Sequence, residues 1–258
     1  MAIFKSLAVA FSLYSRIPMP RFQWREEDMK HNLVFFPLVG LVVGALAFTV
    51  AWIADLAQLN VLTRVAIVSA VPLIVTGGFH VDGFMDVEDA LRSYKSREEK
   101  LAILKDPHIG AFAVICLASF GLLWCASLSV IVENLRAMAA FALFFYVVRA
   151  FSGALALRLR PARKDGMLRA ETAKAGAVDF WLLTSQALLG TVAAIAVDWR
   201  VGLAAALGVL VFTGRYKRLC YREFGGVTGD TAGYYVTVAE GTAAFMAAAV
   251  CVVVKLLT

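Results

Sequence analysis

The stretch that decides the fold is residues 33–57, which read LVFFPLVGLVVGALAFTVAWIADLA. It carries one charged residue, Asp55, close to its end. A helix needs about 20 consecutive apolar residues to cross the hydrocarbon core of a bilayer, and this stretch is longer than that. It therefore predicts a membrane-spanning helix.

Similar apolar stretches recur along the chain and set the fold class. They predict about seven spans, at 33–57, 62–79, 109–132, 137–156, 179–197, 201–214 and 236–257. The sixth is short, and we expect it to be tilted, broken or half-inserted. The apolar start of the chain predicts an interfacial or re-entrant helix, because no small-residue cleavage site of a signal peptide follows it. The sequence thus predicts an all-α, polytopic integral membrane helix bundle that forms one domain over residues 1–258.

The composition agrees with this fold class and excludes others. Hydrophobic residues make up 61% of the 258 residues and charged residues 17%, whereas soluble domains carry about 25% charged residues. A disordered chain and a secreted disulfide scaffold are therefore excluded. The four cysteines form no CxxC pair, which predicts neither a zinc site nor a disulfide framework. In a membrane protein, the net charge of +6 favours basic orienting loops over a nucleic-acid partner.

The basic residues predict the orientation of the bundle. Most of the 25 Lys and Arg residues lie in four segments, 1–32, 80–108, 157–178 and 215–235. The alternate connections hold only Arg64, Arg136, Arg200 and Lys255. Basic loops stay in the cytoplasm, so this alternation predicts that the four segments face the cytoplasm and that the C-terminus lies outside.

Three aspartates follow the second predicted span at helical spacing. Asp82, Asp86 and Asp89 stand at i, i+4 and i+7, which places them on one helix face. Like charges repel at this spacing, and hard oxygen ligands suit Mg²⁺ or Mn²⁺ with substrate phosphates. The alternative is a solvated acidic face beside the basic residues 92–105. His80 is a metal ligand, a phosphate contact or a satisfied interfacial residue, and Gly83 lets a ligand or a helix approach closely.

Two further polar segments lie next to predicted spans. In the first, Lys105 is a candidate phosphate contact and Asp106 a candidate metal ligand, or else Asp106 caps the helix that follows. The second is the glycine-rich segment 225–230, which either cradles a phosphate or forms a turn between spans. Glu240 is a rare acid at membrane depth and so a candidate, and Arg149 either pairs with an acid in the bundle or snorkels to an interface. An acidic metal site, basic residues and a glycine-rich loop at one membrane face predict transfer chemistry on a phosphorylated substrate.

The chain resembles the cobalamin synthase family, also called adenosylcobinamide-GDP ribazoletransferase, over nearly its whole length. The resemblance rests on Ser-Arg-Ile-Pro-Met-Pro at 15–20, His-Val-Asp-Gly-Phe-Met-Asp-Val-Glu-Asp at 80–89, Leu-Lys-Asp-Pro-His-Ile-Gly at 104–110 and Gly-Gly-Val-Thr-Gly-Asp at 225–230. The second motif is specific, and the others support it by order and spacing. Two positions depart from the pattern: His108 stands where many relatives have Arg, and Ala113 where they have Gly.

The resemblance implies a multi-pass enzyme of the bacterial inner membrane that requires Mg²⁺. A hydroxyl of α-ribazole, or of its 5′-phosphate, would attack the cobinamide-proximal phosphoryl group of adenosylcobinamide-GDP. GMP would leave, and adenosylcobalamin or its 5′-phosphate would form. Further implied partners are membrane lipid, a second copy of the chain and other enzymes that assemble the nucleotide loop.

The resemblance also implies roles for individual residues. Asp82, Asp86 and Asp89 would hold one or two Mg²⁺ ions, with Asp106 completing the shell. One of these aspartates or His80 would accept the proton, and Lys105 would offset phosphoryl charge. The implied substrate-binding residues are Gly83, His108, Gly225, Gly226, Thr228, Gly229 and Asp230.

Three other functions remain as alternatives. A CDP-alcohol phosphotransferase would need Ala-Arg three residues after Asp-Gly, but Asp86-Val87 stands there. A transporter would gather its charges near the bilayer midplane, whereas here they gather at one membrane edge apart from Arg149. A non-catalytic membrane scaffold would keep its function without the aspartates.

Overall fold

A computed structural model describes residues 2–20, 31–163, 166–173 and 175–257 of the protein. Within these ranges the chain is helical and forms no strand, apart from a single parallel bridge between Pro161 and Val227. Five of the basic residues used to predict the orientation, Arg21, Arg25, Lys30, Lys164 and Lys174, lie outside the described residues.

Twelve helices follow one another in the described ranges. They are α1 (Ala2–Tyr14), α2 (Asn32–Leu56), α3 (Val61–Thr76), α4 (Phe79–Arg92), α5 (Arg97–Ile103), α6 (Ala111–Ile131), α7 (Leu135–Ala142), α8 (Phe144–Arg158), α9 (Met167–Thr172), α10 (Ala177–Val197), α11 (Trp199–Leu219) and α12 (Gly229–Leu257). A π-helical turn, Cys220–Phe224, connects α11 to the glycine-rich segment.

The predicted all-α membrane bundle is confirmed, but it has fewer spans than expected. Within the described part of the chain, five helical segments are long and apolar enough to cross a membrane: α2, α6, α7 with α8, α10 and α12. The number rises to six if α3 and α4 together form one bent span. Helix α11 occupies the place of the sixth predicted span and is longer than predicted, yet it is not among these segments.

The predicted second span, 62–79, corresponds to α3, which ends three residues before the predicted boundary. Helix α3 stops at Thr76, and Gly77 and Gly78 both have positive φ, at 68° and 81°. Glycine enters this region without steric cost, whereas a side chain would strain the backbone. The chain turns by 92° there, so α4 leaves the direction of α3 and carries the aspartates across the end of the bundle.

Helix α12 is the central element for the position of the polar residues. It packs against α11, α4, α6 and α8, while α2 packs against α8. The buried side of α4 consists of His80, Gly83, Phe84, Val87 and Ala90. The aspartates are left on the remaining surface of α4, next to the start of α12.

Candidate active site

The three aspartates of α4 share one helix face, as their spacing predicts. Asp82 is exposed, and Asp86 and Asp89 are half-buried. Asp86 lies within electrostatic range of Asp82, Asp89 and also Asp230, at the start of α12. Four carboxylates are thus gathered at one end of the bundle, where their mutual repulsion favours a cation.

Gly83 explains how Asp230 comes so close to the aspartates of α4. A Cβ atom at Gly83 would lie 2.7 Å from the backbone carbonyl oxygen of Asp230. No side chain fits there, so the glycine lets α4 pack directly against the first turn of α12. The observed role of Gly83 is therefore this close approach.

The glycine-rich segment 225–230 combines a tight turn with a helix cap. Gly225 has a φ of 75°, and a Cβ atom at Gly226 would collide with the carbonyl oxygen of Arg160. The hydroxyl of Thr228 accepts a hydrogen bond from the Thr231 N–H at 3.1 Å, and the Thr231 hydroxyl accepts one from the Thr228 N–H at 2.8 Å. This reciprocal pair begins α12 and fixes where its first turn lies.

A cavity of about 190 Å³ lies between α4 and the start of α12, and residues from α4, α12 and the segment after α8 line it. Asp82 and Gly83 line one side, and Thr228, Gly229 and Asp230 line another. Phe79 and Val227 also border it, and the segment after α8 contributes Pro161, Arg163, Gly166, Met167, Leu168 and Arg169. We call this cavity the Asp82 cavity.

Arg163 and Arg169 are site residues that the sequence analysis treated only as part of a basic loop. Arg163 lies within electrostatic range of Asp230 and donates a hydrogen bond to the carbonyl oxygen of Leu101. Both arginines line the Asp82 cavity, where they add positive charge beside the carboxylates. No motif or spacing marks them, because they meet the aspartates only through tertiary structure.

Three of the basic connecting segments are held together by contacts between their side chains and backbone. Lys100 of α5 forms an ion pair with Glu223 at 2.5 Å between Nζ and Oε2. This hydrogen bond from Lys100 is the main reason that the pKa of Glu223 lies below its usual value. The guanidinium of Arg160 donates to the carbonyl oxygen of Gly225 at 2.8 Å. These contacts hold the segments 80–108, 157–178 and 215–235 together.

The segment 105–110 meets α4 at its other end. A Cβ atom at Gly110 would collide with the carboxylate of Asp89. Asp106 accepts a hydrogen bond from the His108 N–H at 3.0 Å and pairs with its Nδ1 at 2.6 Å, and the first of these bonds chiefly lowers the pKa of Asp106. Neither these two residues nor Lys105 lines the Asp82 cavity.

His80 lies on the opposite side of α4 from the Asp82 cavity. Its ring is buried, with the ring centroids of Phe36 and Phe79 each 5.5 Å away and that of Tyr14 at 6.5 Å. His80 and Asp82 are two residues apart in the sequence, but their side chains lie on different sides of α4.

The residues present fit one mode of Mg²⁺ binding. Among the described residues, no group of three His, Cys, Asp or Glu side chains is arranged to hold a metal ion by itself. Mg²⁺ is commonly bound through one or two carboxylates together with water and substrate phosphates. Asp82 and Asp230 suit this mode, since they line a cavity with space for a phosphorylated ligand, and Asp86 lies within electrostatic range of both.

Glu171 is a buried acid that the sequence analysis did not identify. Its Oε1 accepts hydrogen bonds from the Tyr14 hydroxyl at 2.7 Å and from Asn32 Nδ2 at 3.2 Å. Burial raises the pKa of Glu171 to about 7, and the two hydrogen bonds partly oppose this increase. Glu171 anchors α9, and with it the segment that carries Arg169, to α1 and α2.

Glu240 and Arg149 are the two charged residues predicted inside spans, and they pair with each other. Arg149 Nη1 lies 2.5 Å from Glu240 Oε1, and both side chains are buried. Of the two alternatives for Arg149, pairing within the bundle is therefore the observed one. The pair lies apart from the Asp82 cavity, whose lining includes neither residue.

Comparisons with known proteins identify the family of the chain. The family model described as cobalamin-5-phosphate synthase matches residues 6–249. A protein of Lachnoclostridium phytofermentans named adenosylcobinamide-GDP ribazoletransferase is 36% identical over 91% of this chain and 90% of its own length. Proteins of the same name from Mesorhizobium japonicum and Clostridium botulinum are 30% and 28% identical over 92% and 95% of this chain and 90% and 97% of their own lengths. No solved structure matches the chain.

The family match spans all the segments that build the Asp82 cavity, from α4 to the start of α12. The multi-pass helical bundle and the clustered carboxylates and arginines suit a membrane-bound transferase. The chain belongs to the cobalamin-5-phosphate synthase family of enzymes.

Proposed function

We propose that this enzyme joins adenosylcobinamide-GDP to α-ribazole, or to its 5′-phosphate, at the Asp82 cavity. The products are adenosylcobalamin, or its 5′-phosphate, and GMP. The observation that carries the proposal is the meeting of Asp82 and Asp230 with Arg163 and Arg169 around one cavity of about 190 Å³. Such a combination of carboxylates and guanidinium groups suits a diphosphate with its counter-cation.

In the proposed reaction, a ribazole hydroxyl attacks the cobinamide-proximal phosphorus atom. A new P–O bond forms to the ribazole, and the bond from this phosphorus atom to the oxygen of GMP breaks. We assign the acceptance of the hydroxyl proton to Asp82, since its carboxylate lines the cavity whereas His80 is buried behind α4. A carboxylate within hydrogen-bond distance of the attacking hydroxyl is suited to this role.

The other residues of the cavity position the diphosphate and neutralise its charge. Arg163 and Arg169 offset negative charge on the phosphoryl oxygens. Asp82, Asp86 and Asp230 would hold Mg²⁺, and the bound ion would supply positive charge that offsets the negative charge of the diphosphate. Lys105, Asp106 and His108 contact the part of the substrate that lies towards Asp89, whose carboxylate packs against Gly110.

We place the enzyme in the bacterial inner membrane with the Asp82 cavity on the cytoplasmic side. The alternation of basic and neutral connecting segments supports this orientation. Membrane lipid is the surrounding partner, and no nucleic acid is involved.

The test is a transfer assay on the purified protein in lipid vesicles. Adenosylcobinamide-GDP, α-ribazole and Mg²⁺ are supplied, and GMP and cobalamin are followed by chromatography. We expect product that disappears with EDTA and falls at least 100-fold in Asp82→Asn, a loss typical of a removed general base. The matched control is Glu133→Gln, which neutralises an exposed acid paired with Lys255 far from the cavity.

Full activity of Asp82→Asn would overturn the role of Asp82, and full activity in EDTA would overturn the role of Mg²⁺. Absence of GMP from the inserted wild-type protein would overturn the proposed reaction. CDP-diacylglycerol would then be the next donor to try.

A further inference from the structure

A second cavity, of about 210 Å³, lies on the other side of α4 inside the bundle. Its wall is largely apolar and comes from α3, α4, α6 and α12, with Leu73, Leu117, Phe120 and Trp124 among its residues. Arg149 of α8 and Glu240 also line it. We call it the Trp124 cavity.

Within the ranges that the structure describes, three buried polar residues that line the Trp124 cavity each have one side-chain atom without a hydrogen-bond partner. Among the described residues, the buried side-chain nitrogen and oxygen atoms that lack a hydrogen bond are His80 Nε2, Arg149 Nε and Thr237 Oγ1. The three residues are 5%, 1% and 4% exposed, and all three line this cavity. Leaving a buried polar atom unpaired costs about 1–3 kcal/mol. Three such atoms at one cavity indicate a missing hydrogen-bonding occupant.

The charge at the cavity favours a neutral occupant. Arg149 Nη1 is already bound to Glu240 Oε1 at 2.5 Å and to the carbonyl oxygen of Phe145 at 2.8 Å. Glu240 therefore compensates the positive charge of Arg149. The Arg149 Nε–H has no partner among the described residues, and a neutral hydrogen-bond acceptor suits it. The hydroxyl of Thr237 can donate to the same molecule or accept from it.

The size and wall of the cavity narrow the occupant further. A cavity of about 150 Å³ with an apolar lining holds one benzene molecule and stays free of water. The Trp124 cavity is larger, which suits two fused rings. An acyl chain would fill the space but leave the three polar atoms unpaired, whereas water would pair them and leave the aromatic wall without contacts. A flat heteroaromatic ring system satisfies both requirements.

An open depression at the surface shares lining residues with both the Trp124 cavity and the Asp82 cavity. An open depression over the Gly77–Gly78 turn is lined by Thr76 and Val81, which also line the Trp124 cavity. The same depression is lined by Asp82, which belongs to the Asp82 cavity. This depression is the proposed path between the two cavities.

We propose that the Trp124 cavity binds a neutral two-ring nitrogen heterocycle, with a ring nitrogen accepting a hydrogen bond from Arg149 Nε–H or the Thr237 hydroxyl. This inference rests on the proposed function in one respect: the ring is the azole base of the ribazole acceptor, whose sugar then extends towards Asp82.

The binding test uses benzimidazole, which is neutral at pH 8, and its carbon analogue indane. Purified protein in vesicles of one defined phospholipid is titrated while tryptophan fluorescence is recorded, since Trp124 lines the cavity. We expect benzimidazole to change the fluorescence, Trp124→Phe to abolish the change, and indane to bind about tenfold more weakly. Thr237→Val should weaken benzimidazole about tenfold and leave indane unaffected, as expected for the loss of one hydrogen bond.

A second variant blocks the cavity without touching a polar residue. Gly121 lines the cavity, and a Cβ atom there would meet no heavy atom within 4 Å. Gly121→Leu should therefore fold, exclude benzimidazole and raise KM for α-ribazole at least tenfold, with KM for adenosylcobinamide-GDP unchanged. The matched control is Gly214→Leu, because Gly214 on α11 is equally unobstructed and lies outside this cavity.

The outcomes separate this proposal from the proposed function. Equal binding of benzimidazole and indane, insensitive to Thr237→Val, would show an apolar lipid-chain site and overturn the inference. No binding of either would show a water-filled cavity and overturn it as well. Benzimidazole binding with no transfer by the wild-type protein would uphold the ring site and reject the reaction. Normal KM values in Gly121→Leu would reject the link to the acceptor.

Discussion

The two sides of α4 differ in how acidic and basic side chains are arranged next to them. On one side Asp82, Asp86 and Asp89 lie near Asp230, so that carboxylate faces carboxylate. On the other side a single acid, Glu240, is matched by a single base, Arg149, at 2.5 Å. The same short helix therefore separates an uncompensated side, where four carboxylates outnumber the two guanidinium groups of Arg163 and Arg169, from a compensated side with one acid and one base.

This difference distinguishes residues that build the protein from residues that await a ligand. The buried ion pair between Arg149 and Glu240 forms within the protein itself, so its contribution to stability needs no ligand. A cluster of like charges disfavours the folded chain until a cation and a phosphorylated substrate arrive. Substitutions on the two sides should therefore have opposite effects on stability.

The largest expected effect concerns the compensated side. Arg149→Met leaves Glu240 buried without its partner, and the loss of one member of a buried pair costs about 3–5 kcal/mol of unfolding free energy. The double variant Arg149→Met/Glu240→Met removes both charges and should recover most of that loss. Unfolding of the detergent-solubilised proteins measures both values. Equal losses in the single and the double variant would show that the pair is not what stabilises this region.

The second prediction concerns Glu171, a buried acid whose hydrogen bonds in the described part of the chain come from neutral donors and not from a basic partner. The pKa of Glu171 is about 7 against an ordinary 4.5, since burial outweighs the hydrogen bonds from Tyr14 and Asn32. Between these two pH values the folded protein keeps a proton that the unfolded chain has lost. The unfolding free energy should therefore fall as pH rises from 4.5 to 7, by on the order of 3 kcal/mol in total.

The measurement is the unfolding free energy of wild type and Glu171→Gln across that pH range. The variant cannot lose a proton at this position, so its curve should be flatter. Glu133→Gln, which changes an exposed acid, should keep the wild-type slope. A slope that is the same in Glu171→Gln and wild type would assign the pH dependence to another group.

The third prediction separates α4 from α12 without changing a charge. Gly83→Ala places a methyl group 2.7 Å from the Asp230 carbonyl oxygen, and relief of such a clash costs about 1–3 kcal/mol. Asp230 should move away from Asp82, and transfer activity should fall about tenfold or more. Gly214→Ala, with open space around its Cβ position, should keep full activity. Full activity in Gly83→Ala would mean that the site tolerates a wider gap between the helices.

The smallest expected effect concerns the uncompensated side. Asp86→Asn removes one member of the carboxylate cluster and should raise the unfolding free energy by about 0.2–0.5 kcal/mol in EDTA, the usual size of a relieved like-charge pair. Added Mg²⁺ should stabilise wild type more than the variant. A destabilised Asp86→Asn protein in EDTA would show that Asp86 contributes to the fold and would break the comparison.

Much of the fold followed from the sequence because apolar length and periodicity are local properties. The membrane bundle and the common face of Asp82, Asp86 and Asp89 are confirmed for this reason. The sequence analysis did not predict the bend after Thr76. Hydropathy alone does not distinguish a Gly-Gly pair within a span from a Gly-Gly pair at its end. The metal and the roles of the individual residues stay predictions.

The rest of the site depends on contacts between distant segments. Arg163 and Arg169 line the Asp82 cavity, and their segment is held by contacts with distant parts of the chain, such as the bond between Arg160 and Gly225. In the sequence, Glu171 is one acid of a polar connecting segment. Only the structure shows that α9 packs it against Tyr14 and Asn32. No local pattern of charge or hydropathy encodes such meetings.

The bend at Gly77 and Gly78 has a consequence for the surrounding membrane. Helix α3 has 16 residues, which at 1.5 Å per residue gives an axis of about 24 Å, whereas the hydrocarbon core is about 30 Å thick. A short span is accommodated by local thinning of the bilayer. The depth of α4, and with it the access of water-soluble nucleotides to Asp82, therefore depends on the acyl-chain length of the host lipids.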